Sequence, residues 1–545
     1  MASETQTSTT WFGSTEEVGR LRGRVFKWTC LGATVLTLFL MLVFLLYVAN
    51  DALRPLSADP SWLATMGVTV VLPVVLLAGY YYRRDRSAGE VAYTALGLPI
   101  FVALVSGGLW LLFRHIVSPQ EWFVLAASIL VAGGLVTAHS RVRHDAAVER
   151  LVVTVVVPLL AVVGVPTVLP SLRDLLSLSP VLPNALFSLV IAFTLPIAAV
   201  VGWRVRAVRD ADRDGAIAAG ITVAGGLAGV VVGPVFGVHP TSWLVFASPI
   251  VGALVLYVEH VVRNDEGVSG LAFPIVVAAG IFVGLTAAQT LGFAGPDTWL
   301  DMQFLTSSTS TTPADAGIYP ALVGSVLIMI VIVLSAFPVG IGAAVYLEEY
   351  ARSQGRLGTV IELIQVNISN LAGVPSIVYG VLGLAIFINL IGMGRGTAVV
   401  AGFTVGLLIL PIVIISTQEA IRAVPDSRRQ ASYAMGATKW QTVRNVVLPE
   451  SLAGIFTGTI LALGRAIGET APLLMIGVSA SVRVSPDSFL SRTGAMPRQI
   501  LSWSTQITTE FRYGVLAAGV VTLLVVLLTM NAAAIVLRNR TQRTQ

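Results

Sequence analysis

An arginine and a glutamate lie inside one strongly apolar stretch, GRAIGETAPLLMIG, at Arg465 and Glu469. A charged side chain in the middle of a bilayer costs about 3 kcal/mol on insertion scales, so such ions mark a functional site by default. Their spacing places both on one face of a helix and allows an ion pair. A guanidinium is permanently charged, and its planar fork matches the oxygen atoms of an oxyanion. We interpret Arg465 as a transient anion contact that Glu469 keeps weak. The alternative is an ion pair that only holds the helix in place.

A polar segment begins at Glu419, EAIRAVPDSRRQASYAMGATKWQTVRNVVLPE, and separates two apolar runs. Its pattern predicts two short helices, each started by a capping box. The two boxes are Ser427 with Gln430 and Thr438 with Gln441. Gly436 is expected to end the first helix in the left-handed conformation, and Pro449 to separate the second helix from the following span. We call this pair of helices the elbow. Tyr433, Met435 and Trp440 are more apolar than a solvated linker needs, which favours insertion into a partner over packing on the chain's own spans.

Several catalytic chemistries have no support in the sequence. A phosphate-binding P-loop needs a lysine directly after a glycine. The chain has two lysines, and Lys27 and Lys439 follow a phenylalanine and a threonine. We therefore predict no Walker-type ATP site, so any ATP hydrolysis belongs to a separate subunit. The metalloprotease motif H-E-x-x-H and the lipase motif G-x-S-x-G are absent as well. The histidines all lie at span ends, which argues against a metal site: His115, His139, His144, His239 and His260.

The elements that carry these residues must be membrane helices. Of 545 residues, 55% are hydrophobic and 12% are charged, which is not the composition of a soluble protein. Apolar runs of about 20 residues recur, each long enough to cross a bilayer as a helix, and they lack the alternation of a membrane barrel. The sequence predicts an all-α polytopic protein with about fourteen spans. They are expected at 28–49, 61–82, 91–113, 120–138, 150–170, 181–203, 215–237, 242–262, 268–290, 319–347, 364–391, 398–418, 451–478 and 512–537.

The distribution of Lys and Arg predicts how the chain is oriented. With the N-terminus inside, the loops on that side carry 25 basic residues and the opposite loops carry 8. This bias predicts that both termini are cytoplasmic. It also explains the formal net charge of +5 without a nucleic-acid partner. The first run shows no cleavage signal and is expected to stay as a span, and the single cysteine, Cys30, excludes a disulfide framework.

Prolines and acidic residues in the second half suggest further detail. Pro338, Pro375, Pro411 and Pro472 lie within predicted spans. Broken or kinked spans are tolerated where they line a cavity, although close packing through small residues such as Gly324, Gly340 and Gly342 is an equal alternative. Glu348 and Glu349 follow the tenth span. We expect them to be interfacial or paired with arginines such as Arg352, rather than catalytic.

The elbow resembles the coupling motif of ABC-transporter permeases, an E-A-A, three residues, G, nine residues, I-x-L-P pattern. The matching positions are Gln430, Ala431, Ser432, Gly436, Val446, Leu448 and Pro449. Gln430, Ser432 and Val446 depart from the family residues, which affects polar contacts of the motif but not the bend at Gly436. The segments NLAGVPSIVYGVLGL, AVYLEEYA and GRAIGETAPLL are similar to phosphate-uptake (Pst) permeases, and GETAPL is closer to the PstA type than to the PstC type.

The resemblance implies an organisation and a set of partners. Residues 266–538 would form an ABC importer permease core of the MetI-like kind, with a coupling loop at 419–449. Residues 1–27 and 539–545 would be cytoplasmic tails, and 28–265 an eight-span region of unknown role. Partners would be a PstC-like second permease, a dimer of PstB-like ATPases, a PstS-like phosphate-binding protein and membrane lipid. Arg465, Glu469 and Thr470 would line the phosphate path. No cofactor is expected in this chain, since ATP would be hydrolysed by the partner.

Three other functions are compatible with parts of the pattern. The chain could be a permease for another oxyanion such as molybdate or sulfate. It could be a non-transporting membrane scaffold or sensor whose extra spans recruit partners. A secondary transporter is a third possibility, but the elbow argues against it, since ion-coupled carriers have no ATPase to dock.

Overall fold

The computed structural model describes residues 20–142, 184–351 and 356–543, and between the first two ranges only 153, 154, 156–158, 160, 161 and 174. Within these residues the fold is helical, with no strand beyond two isolated bridges. Twelve of the described helices are long and apolar enough to cross a membrane, and a bent pair would make thirteen. The predicted all-α membrane fold is confirmed.

The helices, numbered in chain order, have the following bounds. The first eight are α1 Gly23–Leu53, α2 Pro60–Arg84, α3 Arg86–His115, α4 Pro119–Ser140, α5 Ala185–Arg209, α6 Asp212–Val232, α7 Pro240–Asn264 and α8 Val268–Leu291. The second half contains α9 Tyr319–Tyr350, the bent pair α10 Gly358–Ala372 and α11 Ser376–Leu390, α12 Ala398–Arg422, α13 Asp426–Ala434, α14 Lys439–Gly468, α15 Ala471–Met475, α16 Met496–Ser504 and α17 Glu510–Val536.

The described helices account for thirteen of the fourteen predicted spans, two of them with a different shape. The predicted span at 364–391 is two helices that meet at 107° around Gly373–Pro375. The predicted span at 451–478 is a helix only to Gly468 and then breaks. The predicted span at 150–170 lies largely outside the described residues. Pro375 and Pro472 mark the two breaks, whereas Pro338 and Pro411 lie inside continuous helices.

Close helix packing builds the core of the second half. The most extensive contact joins α9 to α12, and α12 also packs on α14. A Cβ atom at Gly402 would come within 2.5 Å of Val331, and one at Gly340 within 2.8 Å of Val413, so small residues let these helices approach. Gly342 makes no such contact. Helix α1 joins this core across the whole sequence by packing on α17.

Two hydrogen-bonded contacts attach the region between α1 and α9 to this core, and α3 also packs on α17. The first is a pair of hydrogen-bonded segments, residues 52–59 and 294–299, which we call the neck. Asp59 N donates to Ala294 O (3.1 Å), and Ala294 N donates to the Asp59 carboxylate (2.8 Å). The second is the end of α3, where His115 Nε2 and the Tyr319 hydroxyl of α9 lie 2.8 Å apart.

Candidate functional site

Arg465 and Glu469 form the predicted ion pair, but the glutamate is not one turn further along the same helix. Helix α14 ends at Gly468, and Glu469 has an extended backbone, with φ −70° and ψ 124°. Arg465 Nε lies 3.3 Å from Glu469 Oε1. The side chains are 42% and 14% exposed, respectively. The pair therefore lies at the mouth of a helix break, where the guanidinium stays accessible from one side.

The Arg465 guanidinium has N–H donors that its contact with Glu469 does not occupy. Its contact with Glu469 uses Nε, and among the described residues no hydrogen bond occupies either of its Nη atoms. The two Nη atoms are thus free to bind the oxygens of an anion in the paired geometry that a planar guanidinium favours. Thr470 follows directly, and its hydroxyl donates to Gly468 O at 3.4 Å, which places that hydroxyl beside the same break.

A second helix break lies against the first one. Helices α10 and α11 meet at 107°, and α11 packs on α15, the short helix after Thr470. A Cβ at Gly380 of α11 would come within 2.8 Å of Pro472 Cα, so glycine permits this approach. The Tyr379 hydroxyl donates to Leu371 O (2.8 Å) across the bend and fixes its angle. Discontinuous helices near the middle of a transporter often aim their N-termini at an anionic substrate.

Sequence reasoning missed this second break. Both halves are apolar and contiguous, so the run length alone predicted one span at 364–391. The local signal was Gly373-Val374-Pro375, because a glycine ends a helix and a proline starts the next one. Helix α11 begins at Ser376, and among the described residues no side chain caps its first N–H groups.

The elbow has the predicted bend but only one of its two capping boxes. Gly436 is left-handed, with φ +81°. Thr438 and Gln441 form the complete predicted box. Ser427 and Gln430 do not form theirs, because the helix already begins at Asp426 behind Pro425 and places Ser427 inside the first turn.

The second helix of the elbow runs into the membrane helix without interruption. Pro449 does not separate the two, contrary to the prediction, since Lys439–Gly468 is one continuous helix. A wider π turn at Val443–Val447 directly precedes the proline. An α-helical turn would clash with the proline ring at the carbonyl four residues back, and the wider turn accommodates it. The second helix of the elbow and Arg465 are therefore parts of one continuous helix.

The residues of the coupling motif differ in exposure. Gln430, Ala431 and Gly436 are exposed, and Ser432 is half-buried with its hydroxyl 2.9 Å from that of Thr442. Val446, Leu448 and Pro449 are half-buried on α14. The apolar side chains of the elbow project outward: Met435 is 88% exposed, and Tyr433 and Trp440 are exposed as well. Such a patch on a charged loop is typical of a protein contact.

The C-terminal end of α9 contacts α12 and the elbow through three consecutive residues. Glu348 pairs with Arg422, Glu349 pairs with Arg429, and Tyr350 lies under the Lys439 ammonium group. The three cations belong to α12, α13 and α14 in turn. Both glutamates thus pair with arginines, as the sequence predicts, while Arg352 itself lies outside the described residues. No local pattern predicts these partners, because they are 70 to 90 residues away along the chain.

Arg429 is the most connected of the three cations. Besides Glu349 Oε1 at 3.2 Å, its guanidinium donates to Ile421 O (2.9 Å), Val424 O (2.6 Å) and Asp426 Oδ1 (3.0 Å). It thereby satisfies carbonyl groups at the end of α12 that have no helical partner. Within the described ranges, no three His, Cys, Asp or Glu side chains converge in a way that could hold a metal ion.

Comparisons with known proteins identify the family of the chain. The family model "Binding-protein-dependent transport system inner membrane component" matches residues 280–542. The "Probable ABC transporter permease protein YqgI" of Bacillus subtilis is 36% identical over 208 residues, which are 38% of this chain and 67% of that protein. The "Phosphate transport system permease protein PstA 1" of Mycobacterium tuberculosis is 36% identical over 225 residues, covering 41% and 70%. The "Phosphate transport system permease protein PstC" of Xylella fastidiosa is 31% identical over 259 residues, covering 42% and 77%. The chain belongs to the family of binding-protein-dependent inner membrane transport components, as an ABC-transporter permease of the PstA type.

Proposed function

We propose that the chain is the transmembrane permease subunit of an ATP-driven importer of inorganic phosphate. The observation that carries the proposal is the position of Arg465, whose free Nη atoms lie beside two adjoining helix breaks. Permeability to an anion requires a contact that binds and also releases. A guanidinium already paired with a carboxylate meets both needs, since Glu469 competes with the anion for it.

Thr470 adds a neutral hydroxyl to the same place. Its hydrogen bond to Gly468 O is long, at 3.4 Å, so little is lost when an oxyanion replaces it. The path would thus be lined by Arg465, Glu469 and Thr470, with the N-terminus of α11 facing the second break. A PstC-like second permease would enclose the other side of the path.

The driving force would enter through the elbow. This chain is proposed to carry no ATP site or other cofactor, so ATP would be hydrolysed by a dimer of PstB-like ATPases. The dimer would dock on the exposed side chains of Met435 and Trp440. The contact with the ATPase would be made by the motif residues Gln430, Ala431, Ser432 and Gly436. A movement of these residues would reach α14 through Val446, Leu448 and Pro449. A PstS-like binding protein would deliver phosphate at the opposite end.

This assignment implies a location and an orientation. The complex would reside in the cell membrane with both termini of this chain cytoplasmic, on the side of the elbow. Residues 266–538 would act as the permease domain, residues 28–265 as an accessory membrane region, and 1–27 and 539–545 as tails. The packing of α1 on α17 suggests that the first helix works with the permease domain as well.

Reconstituted proteoliposomes would test the proposal. The chain is purified with its associated subunits and assayed for ATP-dependent uptake of labelled phosphate, with sulfate and molybdate as competing substrates. We expect uptake of phosphate in preference to both. Arg465→Lys keeps the charge but loses the planar fork, so it should reduce uptake, and Arg465→Gln should reduce it further.

Arg206→Gln is the matched control, because Arg206 is an exposed arginine paired with Asp212 far from both helix breaks. Unchanged uptake in both Arg465 variants, with normal assembly, would contradict the path. Preferred uptake of sulfate or molybdate would assign the chain to another oxyanion. Failure of any ATPase to co-purify would favour a scaffold or sensor instead.

A further inference from the structure

A hydroxyl-rich cavity opens at the end of the molecule opposite the elbow. It measures about 540 Å³ and is lined by the consecutive residues Ser307 to Thr311 together with Gln303, Asp315 and Arg483. Helix α9 begins close by at Tyr319 and ends at Tyr350 on the elbow. One membrane-spanning helix therefore separates this cavity, which we call the hydroxyl pocket, from the coupling surface.

Hydrogen bonds hold the two sides of the hydroxyl pocket together. Thr309 Oγ1 donates to Val482 O at 3.3 Å, which joins the hydroxyl run to the segment that carries Arg483. Gly317 N donates to Ser308 O at 3.0 Å, and Tyr319 N donates to Ser307 O at 3.2 Å. The loop is thus fastened to the start of α9 at its base, and its hydroxyl groups keep a defined position.

Several donors of the pocket are uncommitted. The Gln303 amide donates a hydrogen bond to Ala314 O (3.2 Å), and the Thr309 hydroxyl donates to Val482 O. By contrast, the hydroxyls of Ser307, Ser308 and Thr311 and the guanidinium of Arg483 make no hydrogen bond or ion pair within the part of the chain that the structure describes. Three hydroxyl donors and one permanent cation therefore line a single open cavity. This donor set suits an oxyanion.

Asp315 adds a carboxylate to the lining of the pocket, which would distinguish oxyanions by their protons. An ionised carboxylate can only accept hydrogen bonds, and it repels a neighbouring anion that has no proton to donate. Phosphate keeps at least one proton near neutral pH and can donate its P–OH group to Asp315 while Arg483 and the hydroxyls bind its other oxygens. Sulfate and molybdate are fully deprotonated under the same conditions and lack this donor.

We propose that the hydroxyl pocket is a second oxyanion site, selective for protonated phosphate over sulfate and molybdate. Its role as an entry site for transported phosphate rests on the proposed function, whereas its selectivity follows from its own residues. The pocket is open, so water competes with each contact and the site releases its ligand readily. Ready release is what a transient binding site at the entrance of a transport path requires.

Cysteine labelling measures this site separately from Arg465. The complex carries Cys30→Ser to remove its own thiol and Gln303→Cys at the rim of the pocket, where the side chain is exposed. The rate of reaction with a membrane-impermeant maleimide is followed in nanodiscs without ATP, at rising inorganic phosphate or sulfate. We expect phosphate to slow labelling at concentrations at least threefold lower than sulfate does.

Two variants and two controls complete the experiment. Arg483→Gln should raise the phosphate concentration needed for half protection at least threefold, and Asp315→Asn should bring phosphate and sulfate within twofold of each other. Arg492→Gln, in the same loop but outside the pocket, should change neither value. Arg465→Gln should also leave the protection intact, so a failure of the proposed path and a failure of this site are distinguishable. Equal protection by both anions, or none by phosphate, would overturn the proposal.

Discussion

Replacing Arg429 with methionine removes the guanidinium that ties α13 to the membrane helices. The side chain is 16% exposed, and its partner Glu349 is 8% exposed. Methionine keeps most of the apolar stem but leaves the Glu349 carboxylate buried without its cation. It also removes the guanidinium donor from the Val424 carbonyl and from the Ile421 carbonyl, which keeps the Val424 N–H at 3.2 Å. The perturbation thus reaches α9, α12 and the elbow at once.

The neighbouring arginine, Arg428, allows the cost of losing a buried ion pair to be compared with that of losing an exposed one. Breaking a buried ion pair by removing one partner costs about 3–5 kcal/mol. Arg428 pairs with Glu450 at 2.9 Å, but these side chains are 67% and 26% exposed, and a surface pair contributes about 0–1 kcal/mol. Arg428→Met is therefore a matched control on the same helix. A difference of about 3 kcal/mol corresponds to about a hundredfold change in the equilibrium for local opening.

Hydrogen exchange of the purified complex measures that opening directly. Backbone amides of residues 426–442 should exchange about a hundredfold faster in Arg429→Met than in the unaltered chain, and less than about fivefold faster in Arg428→Met. The double variant with Glu349→Gln should be less than additive, because the two residues share one interaction. If the exchange rates of these amides in Arg429→Met are within threefold of those in Arg428→Met, burial of the Arg429–Glu349 pair does not determine the stability of the elbow.

Gly436→Ala should strain the elbow by about 1–2 kcal/mol, because the glycine is left-handed, and co-purification of the ATPase should fall while Gly436→Asn is better tolerated. Gly380→Ala should reduce phosphate uptake, because its new Cβ meets the backbone of α15, whereas Gly342→Ala, with open space around it, should not. Hydrogen bonds from the Ser87 hydroxyl and the Ala88 N–H lower the pKa of Asp85 below its usual range. Exchange protection at the start of α3 should therefore persist above the ordinary aspartate pKa and be lost as the pH falls through the lowered value, and Asp85→Ala should abolish this dependence.

Most of the membrane fold follows from run length. A bilayer demands about 20 apolar residues for each crossing, so thirteen of the fourteen predicted spans and their order agree with the described helices. Breaks inside such runs are a different matter, because hydrophobicity is the same on both sides of a bend. Gly373-Val374-Pro375 is a local signal, but a proline alone does not predict a break, because Pro338 and Pro411 lie inside continuous helices.

The candidate site was predictable where its interactions are local. The ion pair of Arg465 with Glu469 and the capping box at Thr438 involve residues three or four apart, and both form. The box at Ser427 does not form because the helix begins one residue earlier, at Asp426, so Ser427 is not at the N-cap position. The partners of Glu348 and Glu349 could not be predicted, because they depend on how α9, α12 and the elbow meet in space.

The neck has a consequence for how such a chain could arise. Because residues 52–59 and 294–299 are hydrogen-bonded to one another, the polypeptide leaves the permease and returns to it at almost the same point. Segments inserted between adjacent ends disturb a host fold least. One insertion between α1 and α9 would therefore be sufficient to account for helices α2 to α8. The remaining helices, α1 and α9 to α17, would then keep their own order along the chain, interrupted only once.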